Sequence, residues 1–198
     1  MVKKKIGVIG IQGAITEHIH SMQNALMESS VKGEVLIVKD RKQIKFLDAL
    51  IIPGGESTTI SKLINKFGFE KEILKRIENK DLALMGTCAG CTILASELLD
   101  NFHDVKLLNA MNIAVKRNAF GRQKESFEQK IKIKNFKHAY NAVFIRAPAI
   151  EKIWNNCEIL AKIDDKIVMA RQDNLLAMSF HPELTDDLRI HKYFLDII

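Results

Sequence analysis

Apolar positions along the chain follow two rhythms. Near-continuous apolar runs occur at residues 6–11, 47–52 and 82–85, each bounded by glycine, proline or polar residues. Runs this short and this apolar predict strands buried on both faces. Between them the spacing changes. Residues 14–27 place Ile15, Ile19, Met22 and Leu26 at helical intervals, and shorter helical patterns cover 58–65 and 71–79. Residues 34–39 form a short β-rich run, and a further helix is expected over 91–99, directly after the third apolar run. Strands alternating with helices predict a parallel sheet covered on both sides. The second half is richer in strand patterns, at 112–116, 130–133, 142–146, 158–163, 167–172 and 175–180. A final helix is expected over 186–196. The expected class is α/β, with an antiparallel insertion or extension.

Composition narrows the picture. The 198 residues are 47% hydrophobic and 27% charged, ordinary for a soluble globular chain able to bury its own core. No repeat, low-complexity tract or linker interrupts them, so residues 1–198 read as a single domain. No apolar run reaches membrane-spanning length, and the first apolar run is broken by Gly7, Gly10 and Gly13. A strand is expected there and not a signal peptide, which makes the cytoplasm the expected location and a membrane partner unexpected. The net charge is +6. The basic residues are spread along the chain without interleaved stacking aromatics or zinc-finger spacing. Solvated faces are expected and no nucleic-acid partner. Three cysteines, Cys88, Cys91 and Cys157, do not make a disulfide framework, and no second cysteine pair exists for structural zinc.

Candidate chemistry concentrates at strand ends. Gly86-Thr87-Cys88-Ala89-Gly90 follows an apolar strand and opens a helix. This is the nucleophile-elbow pattern with cysteine in place of serine. Glycines permit the tight turn, the helix start favours a thiolate, and the Ala89 N–H suits a developing oxyanion. The alternative is a structural cysteine in a glycine-rich turn. Cys88 and Cys91 also spell the Cys-x-x-Cys of redox proteins, but Gly86 has no role in that motif, and Cys91 reads as a small buried hydrophobe.

Ser179-Phe180-His181-Pro182-Glu183 ends the 175–180 strand. Residues two apart on an extended chain face one side, so Glu183 can reach His181 and fix its tautomer. The alternative is a surface histidine before a turn proline. His18, His20, His103, His138 and His191 lack such a setting, and His18 and His20 are expected at the surface or core edge of the first helix. Pro53-Gly54-Gly55-Glu56-Ser57-Thr58 ends another strand. It lacks the lysine of a P-loop and offers N–H groups to an oxyanion or a carboxylate. It also reads as a strand-to-helix turn with Ser57 as N-cap. Three strand ends thus converge on one edge, where open α/β sheets bind ligands.

Gly86-Thr87-Cys88-Ala89-Gly90 with His181-Pro182-Glu183 resembles the class I (triad) glutamine amidotransferases. More narrowly, the chain resembles the glutaminase subunits of pyridoxal 5′-phosphate synthases. The narrower likeness rests on Gly7-Val8-Ile9-Gly10-Ile11-Gln12-Gly13, Glu17-His18-Ile19-His20, Pro53-Gly54-Gly55-Glu56-Ser57-Thr58-Thr59 and Arg117-Asn118-Ala119-Phe120-Gly121-Arg122-Gln123. Ser126-Phe127-Glu128, Phe144-Ile145-Arg146-Ala147-Pro148 and Ser179 to Thr185 complete it. The blocks span nearly the whole chain. The resemblance implies a flavodoxin-like, mostly parallel sheet flanked by helices. It implies Cys88 as nucleophile, with His181 and Glu183 completing a triad. It implies L-glutamine held by Gly55, Glu56, Ser57, Arg117, Ile145 and Arg146, an arginine fork matching a carboxylate. Without the likeness, Arg117 and Arg146 read as surface ion pairs. The expected oxyanion donors are Ala89 and the Gly54–Gly55 loop.

The implied reaction releases ammonia and glutamate through a γ-glutamyl thioester, with no metal or organic cofactor. The implied partner is a barrel-shaped synthase subunit, in a large heteromeric ring, that takes up the ammonia to build pyridoxal 5′-phosphate. Two alternatives use related chemistry: a glutaminase serving another acceptor, and a cysteine hydrolase of the same fold. A third, a non-catalytic binder, leaves three filled triad positions unexplained.

Overall fold

The apolar run at 47–52 shows how the sheet is made. In the computed structural model, which describes residues 3–100, 104–121 and 125–198, Ala49, Leu50, Ile51 and Ile52 are all fully buried. Leu50 and Ile52 join the core on one face of the sheet, Ala49 and Ile51 the core on the other. Alternate side chains point to opposite faces, so a strand covered on both sides must be apolar throughout. His103, Arg122 and Gln123 lie outside the described residues.

The first half runs β1 (Lys4–Ile9), α1 (Ile15–Glu28), β2 (Gly33–Val38), a 3-10 turn (Arg41–Phe46), β3 (Ala49–Ile52), α2 (Ser57–Lys66), α3 (Phe69–Glu78), β4 (Ala83–Thr87) and α4 (Ala89–Leu94). The second half runs β5 (Ala95–Leu98), β6 (Met111–Lys116), β7 (Ser126–Ile131), β8 (Tyr140–Ile145), β9 (Ala149–Ile153), β10 (Glu158–Ile163), β11 (Lys166–Gln172) and β12 (Leu175–Met178). A 3-10 turn (Pro182–Leu184) and α5 (Arg189–Ile197) end it. Strands β2, β1, β3, β4 and β12 lie side by side in parallel, the order of a flavodoxin-like sheet. Beyond β12 the sheet continues as β11, β9, β6 and β5. Its pairings there are antiparallel except for β5 with β6, and β10 lies beside β11. The hairpin β7–β8 forms a separate antiparallel sheet. One face is packed by α2, α3 and α4 through Ile60, Ile64, Phe69, Ile73 and Ile93. The other is packed by α1 and α5 through Met22, Leu26, Ile190 and Phe194.

Three expectations need correction. The helix expected over 91–99 begins at Ala89 and stops at Leu94. Residues Ala95–Leu98 are instead captured as β5 by the edge of β6, with Ser96 Oγ donating to Met111 O at 2.8 Å. Ala95, Glu97 and Leu98 all favour a helix, but pairing with β6 overrides that local preference. Strand β9 follows Pro148 and carries the exposed Glu151-Lys152 pair, so no apolar run announced it. The last helix starts at Arg189 and not at 186. Its N-cap is Leu188, and Asp187 just before it accepts from Arg189 N at 3.1 Å through Oδ1.

Candidate active site

Strands β1, β3, β4 and β12 are neighbours, so their carboxyl ends deliver four loops to one edge of the sheet. Cys88 sits between β4 and α4 at φ 49°, ψ −104°, a conformation a residue with a Cβ adopts only at a cost. Two glycines allow the turn. A Cβ on Gly90 would lie 2.2 Å from Ile52 O, and one on Gly86 would lie 2.7 Å from Gly90 C. The close approach of α4 to the sheet therefore excludes any larger residue. The turn is tied to β12 by Cys88 N donating to Met178 O at 2.8 Å, and the thiol donates to Ile145 O at 3.8 Å.

His181 follows β12 and is 7% exposed. Its backbone N–H donates to Val143 O, and the preceding Phe180 is wedged against Tyr140 and Phe144. The ring is thus held from both the sheet and the hairpin. Its Nδ1–H donates to Glu183 Oε1 at 2.7 Å, the contact expected from the sequence, although the 3-10 turn at Pro182–Leu184 makes it and not an extended chain. Burial by itself lowers the His181 pKa. Hydrogen bonds to Cys88 and Glu183, with the charge of both, outweigh burial and push it up to about 10. Burial likewise favours the neutral form of Glu183, but the His18 and His181 imidazoles hold its carboxyl below the usual range.

A cavity of about 400 Å³ opens at this edge. Its walls include Gly55, Glu56, Ser57, Cys88, Ala89, Arg117, Ile145, Arg146 and His181, all singled out in the sequence. Glu183 stands behind His181, away from the wall. Gly54 is also set back. Its N–H donates to Thr87 Oγ1 at 3.0 Å, and a Cβ there would lie 2.4 Å from His181 Cε1. Arg117 Nε donates to Asp100 Oδ2 at 3.0 Å and its Nη1 to Ser57 Oγ at 3.2 Å, so the guanidinium is fixed at the cavity wall. Arg146 adopts φ 42° next to it. The N-cap of α2 is Glu56 and not Ser57. Its carboxylate accepts from Thr58 N at 3.0 Å and Thr59 N at 2.6 Å. Burial opposes its ionisation, but these bonds hold its pKa at about 2.

Sequence reasoning passed over four wall residues: Gln12, Thr92, Asn118 and Pro148. Gln12 ends the β1 loop and braces the next one, its Oε1 accepting from Glu56 N at 3.1 Å. Its position at a strand end was the available signal. His18, expected at the surface or core edge, is fully buried, with its ring turned toward Thr87 and Glu183. Residues 15, 18, 22 and 25 share one helical face, and that spacing was its signal. Cys91 is buried as expected, and burial pushes its thiol well up. Among the described residues, no group of three or more His, Cys, Asp or Glu side chains is arranged to hold a metal ion. Among them, too, no helix is long and apolar enough to cross a membrane.

Comparison with known proteins adds a lineage to this geometry. The model of the SNO glutamine amidotransferase family matches residues 8–198. A relative from Methanococcoides burtonii, named pyridoxal 5′-phosphate synthase subunit PdxT, is 47% identical over 97% of this chain and 98% of its own. Relatives of the same name from Niallia circulans and Pyrococcus horikoshii are 46% and 44% identical. They cover 98% and 96% of this chain, and 97% of their own in both cases. Among solved structures, a glutamine amidotransferase superposes with a TM-score of 0.86 at 42% identity, covering 97% of each chain. A second, from Thermotoga maritima, shares the fold at a TM-score of 0.61 and 14% identity, covering 99% of this chain and 84% of that one.

Proposed function

Because the chain belongs to the SNO glutamine amidotransferase family, we propose that it is the glutaminase subunit of a pyridoxal 5′-phosphate synthase. On this reading residues 1–198 are one cytoplasmic glutaminase domain. It hydrolyses L-glutamine to L-glutamate and passes the ammonia to a synthase subunit within a large heteromeric ring. The observation that carries the proposal is the convergence at one cavity edge of Cys88 on its strained turn with His181 braced by Glu183 at 2.7 Å.

Each step has a residue. The Cys88 thiolate, its proton already resting on His181, attacks the side-chain amide carbon of glutamine. The oxyanion is met by backbone N–H groups of Ala89 and the Gly54–Gly55 loop. Ala89 opens α4, and the first N–H of a helix has no intrahelical acceptor. The Gly54 N–H is given to Thr87, which leaves Gly55, on the cavity wall, as the loop donor at hand. His181 returns its proton to the departing ammonia, and the carbon–nitrogen bond breaks to leave a γ-glutamyl thioester. His181 then takes a proton from water, the water attacks the thioester, and glutamate leaves. Arg117 and Arg146 pair with the α-carboxylate, and Gly55, Glu56, Ser57 and Ile145 line the bound glutamine. Aqueous ammonia at neutral pH is mostly protonated and non-nucleophilic, which is the chemical reason to deliver it directly to a synthase.

The test is glutamate release by the purified chain, alone and with its synthase partner, beside Cys88→Ala. Activity that rises with the partner and vanishes in Cys88→Ala is the expected result. Full activity without dependence on the synthase removes the pathway assignment. Normal activity in Cys88→Ala removes the nucleophile.

A further inference from the structure

Behind the triad, away from the cavity, α1 places a histidine that the reaction above does not use. His18 is fully buried, and its Nε2 lies 3.0 Å from Thr87 Oγ1 and 3.3 Å from Glu183 Oε2. Thr87 Oγ1 accepts the Gly54 N–H, and Glu183 Oε1 accepts the His181 Nδ1–H. One imidazole edge therefore touches both the carboxylate that orients the base and the hydroxyl that anchors the donor loop.

We propose that His18 is a positioning residue for the triad, its Nε2–H fixing the Glu183 carboxylate and the Thr87 hydroxyl together. The proposal rests on the glutaminase reading and adds a residue to it. The tautomer follows from the surroundings. Nδ1 has no hydrogen-bond partner among the described residues, whereas Nε2 faces two oxygens, so the proton belongs on Nε2. Glu183 Oε2 accepts no hydrogen bond among the described residues, so the Nε2 contact at 3.3 Å acts on it as a close electrostatic one. An apolar side chain of similar size would fill the same volume but would take that polar contact away from a buried carboxylate oxygen.

Charge matters as much as contact. The titratable groups facing His18 are Glu183 and His181 from the segment after β12, His191 from α5 with ring centroids 5.9 Å apart, and Glu17 from its own helix. Burial is the largest influence and lowers the His18 pKa, despite the Glu183 charge that opposes it. A neutral donor suits the site. A second imidazolium would compete with His181 for Glu183, whereas a neutral N–H keeps the carboxylate ionised without cancelling its charge.

Two variants of the full chain test this, His18→Leu and His18→Gln. A glutamine amide offers an N–H in the region of Nε2, and leucine offers none. The readouts are melting temperature, the pH dependence of Cys88 alkylation by iodoacetamide, and kcat and KM for glutamate release with the synthase partner. In His18→Leu, kcat is expected to fall between about 10- and 100-fold with little change in KM. The acid-side midpoint of alkylation is expected to rise by about one pH unit, because a less firmly ionised Glu183 supports the imidazolium less well. His18→Gln is expected to recover most of both. An unmoved midpoint with normal kcat in His18→Leu overturns the proposal. So does an equal kcat loss in both variants that tracks melting temperature while the midpoint stays in place. The functional reading stands or falls separately, on Cys88→Ala.

Discussion

Two regions on either side of Glu183 treat buried histidine in opposite ways. At the cavity, His181 has a thiol and a carboxylate as partners, which together overcome burial and raise its pKa to about 10. Between α1 and α5, His191 is also buried. There burial dominates, helped by His18, and lowers its pKa to about 3, with Glu183 only weakly opposing. Burial is common to both, so partners decide the outcome. A histidine hydrogen-bonded to a buried carboxylate is held charged and ready to act as an acid. One buried among helices and a second imidazole is held neutral and serves packing.

Removing the charge that distinguishes the first region should have the largest effect. Glu183→Gln keeps a hydrogen-bonding side chain near His181 but deletes the negative charge and permits the wrong tautomer. Glutamate release with the partner should fall on the order of a thousand- to ten-thousand-fold. Steady-state kinetics check this, and a variant within tenfold of the parent would show that the carboxylate is dispensable. Gly54→Ala comes next. Its Cβ would sit 2.4 Å from His181 Cε1 and 3.2 Å from Cys88 Cβ, forcing the ring out of place. A displacement near 1 Å predicts a loss of about 100-fold in kcat.

The same comparison predicts the shape of stability against pH. His191 binds a proton when unfolded, at an ordinary value of 6.5, but not when folded until about 3. Its contribution is therefore present above 6.5 and lost as pH falls between the two values. His181 runs the other way. Its contribution is full below 6.5 and lost as pH rises toward about 10. Each limb has a limiting slope of about 1.4 kcal/mol per pH unit and per group. Urea midpoints measured from pH 5 to 9 should trace a dome. His191→Leu should flatten the acid limb between pH 6.5 and 5, and Glu183→Gln the alkaline limb. An unchanged acid slope in His191→Leu would assign that limb to other groups, His18 first among them.

The two regions also differ in how far the sequence exposed them. Cys88 and its glycines, and His181 with Glu183, are legible because their geometry is local: a strand-to-helix turn, and two residues brought together by a single 3-10 turn. The parallel strands β1, β3 and β4 are legible for a related reason, since burial on both faces demands an unbroken apolar run. His18 depends on how α1 settles over the end of β4, some seventy residues away in sequence. One histidine on an amphipathic face carries no mark of that contact. The helix expected over 91–99 fails similarly, because β6 competes for Ala95–Leu98 and that partner is not visible in the window. The loop after β3 was read one residue out for a different reason: serine is the commoner cap, but a longer glutamate reaches the same N–H groups.

That cap gives the smallest effect and compares two helix starts at the same cavity. α2 has its first N–H groups satisfied by Glu56, whereas α4 has no side-chain cap, and in the proposed reaction its Ala89 N–H meets the oxyanion. One start is closed by a side chain, and the proposed reaction uses the other. Glu56→Ala should cost about 1 kcal/mol, typical of a lost N-cap. In a chain of this length that lowers the melting temperature by roughly 2–4 °C. The loss should be confined to conditions that ionise Glu56. Its contribution is present above 4.5 and lost as pH falls toward about 2, so parent and variant should converge in acid. The Cys88 alkylation profile should not move, because Glu56 bonds to the start of α2 and not to the triad. A shifted profile in Glu56→Ala would mean that the two helix starts are coupled.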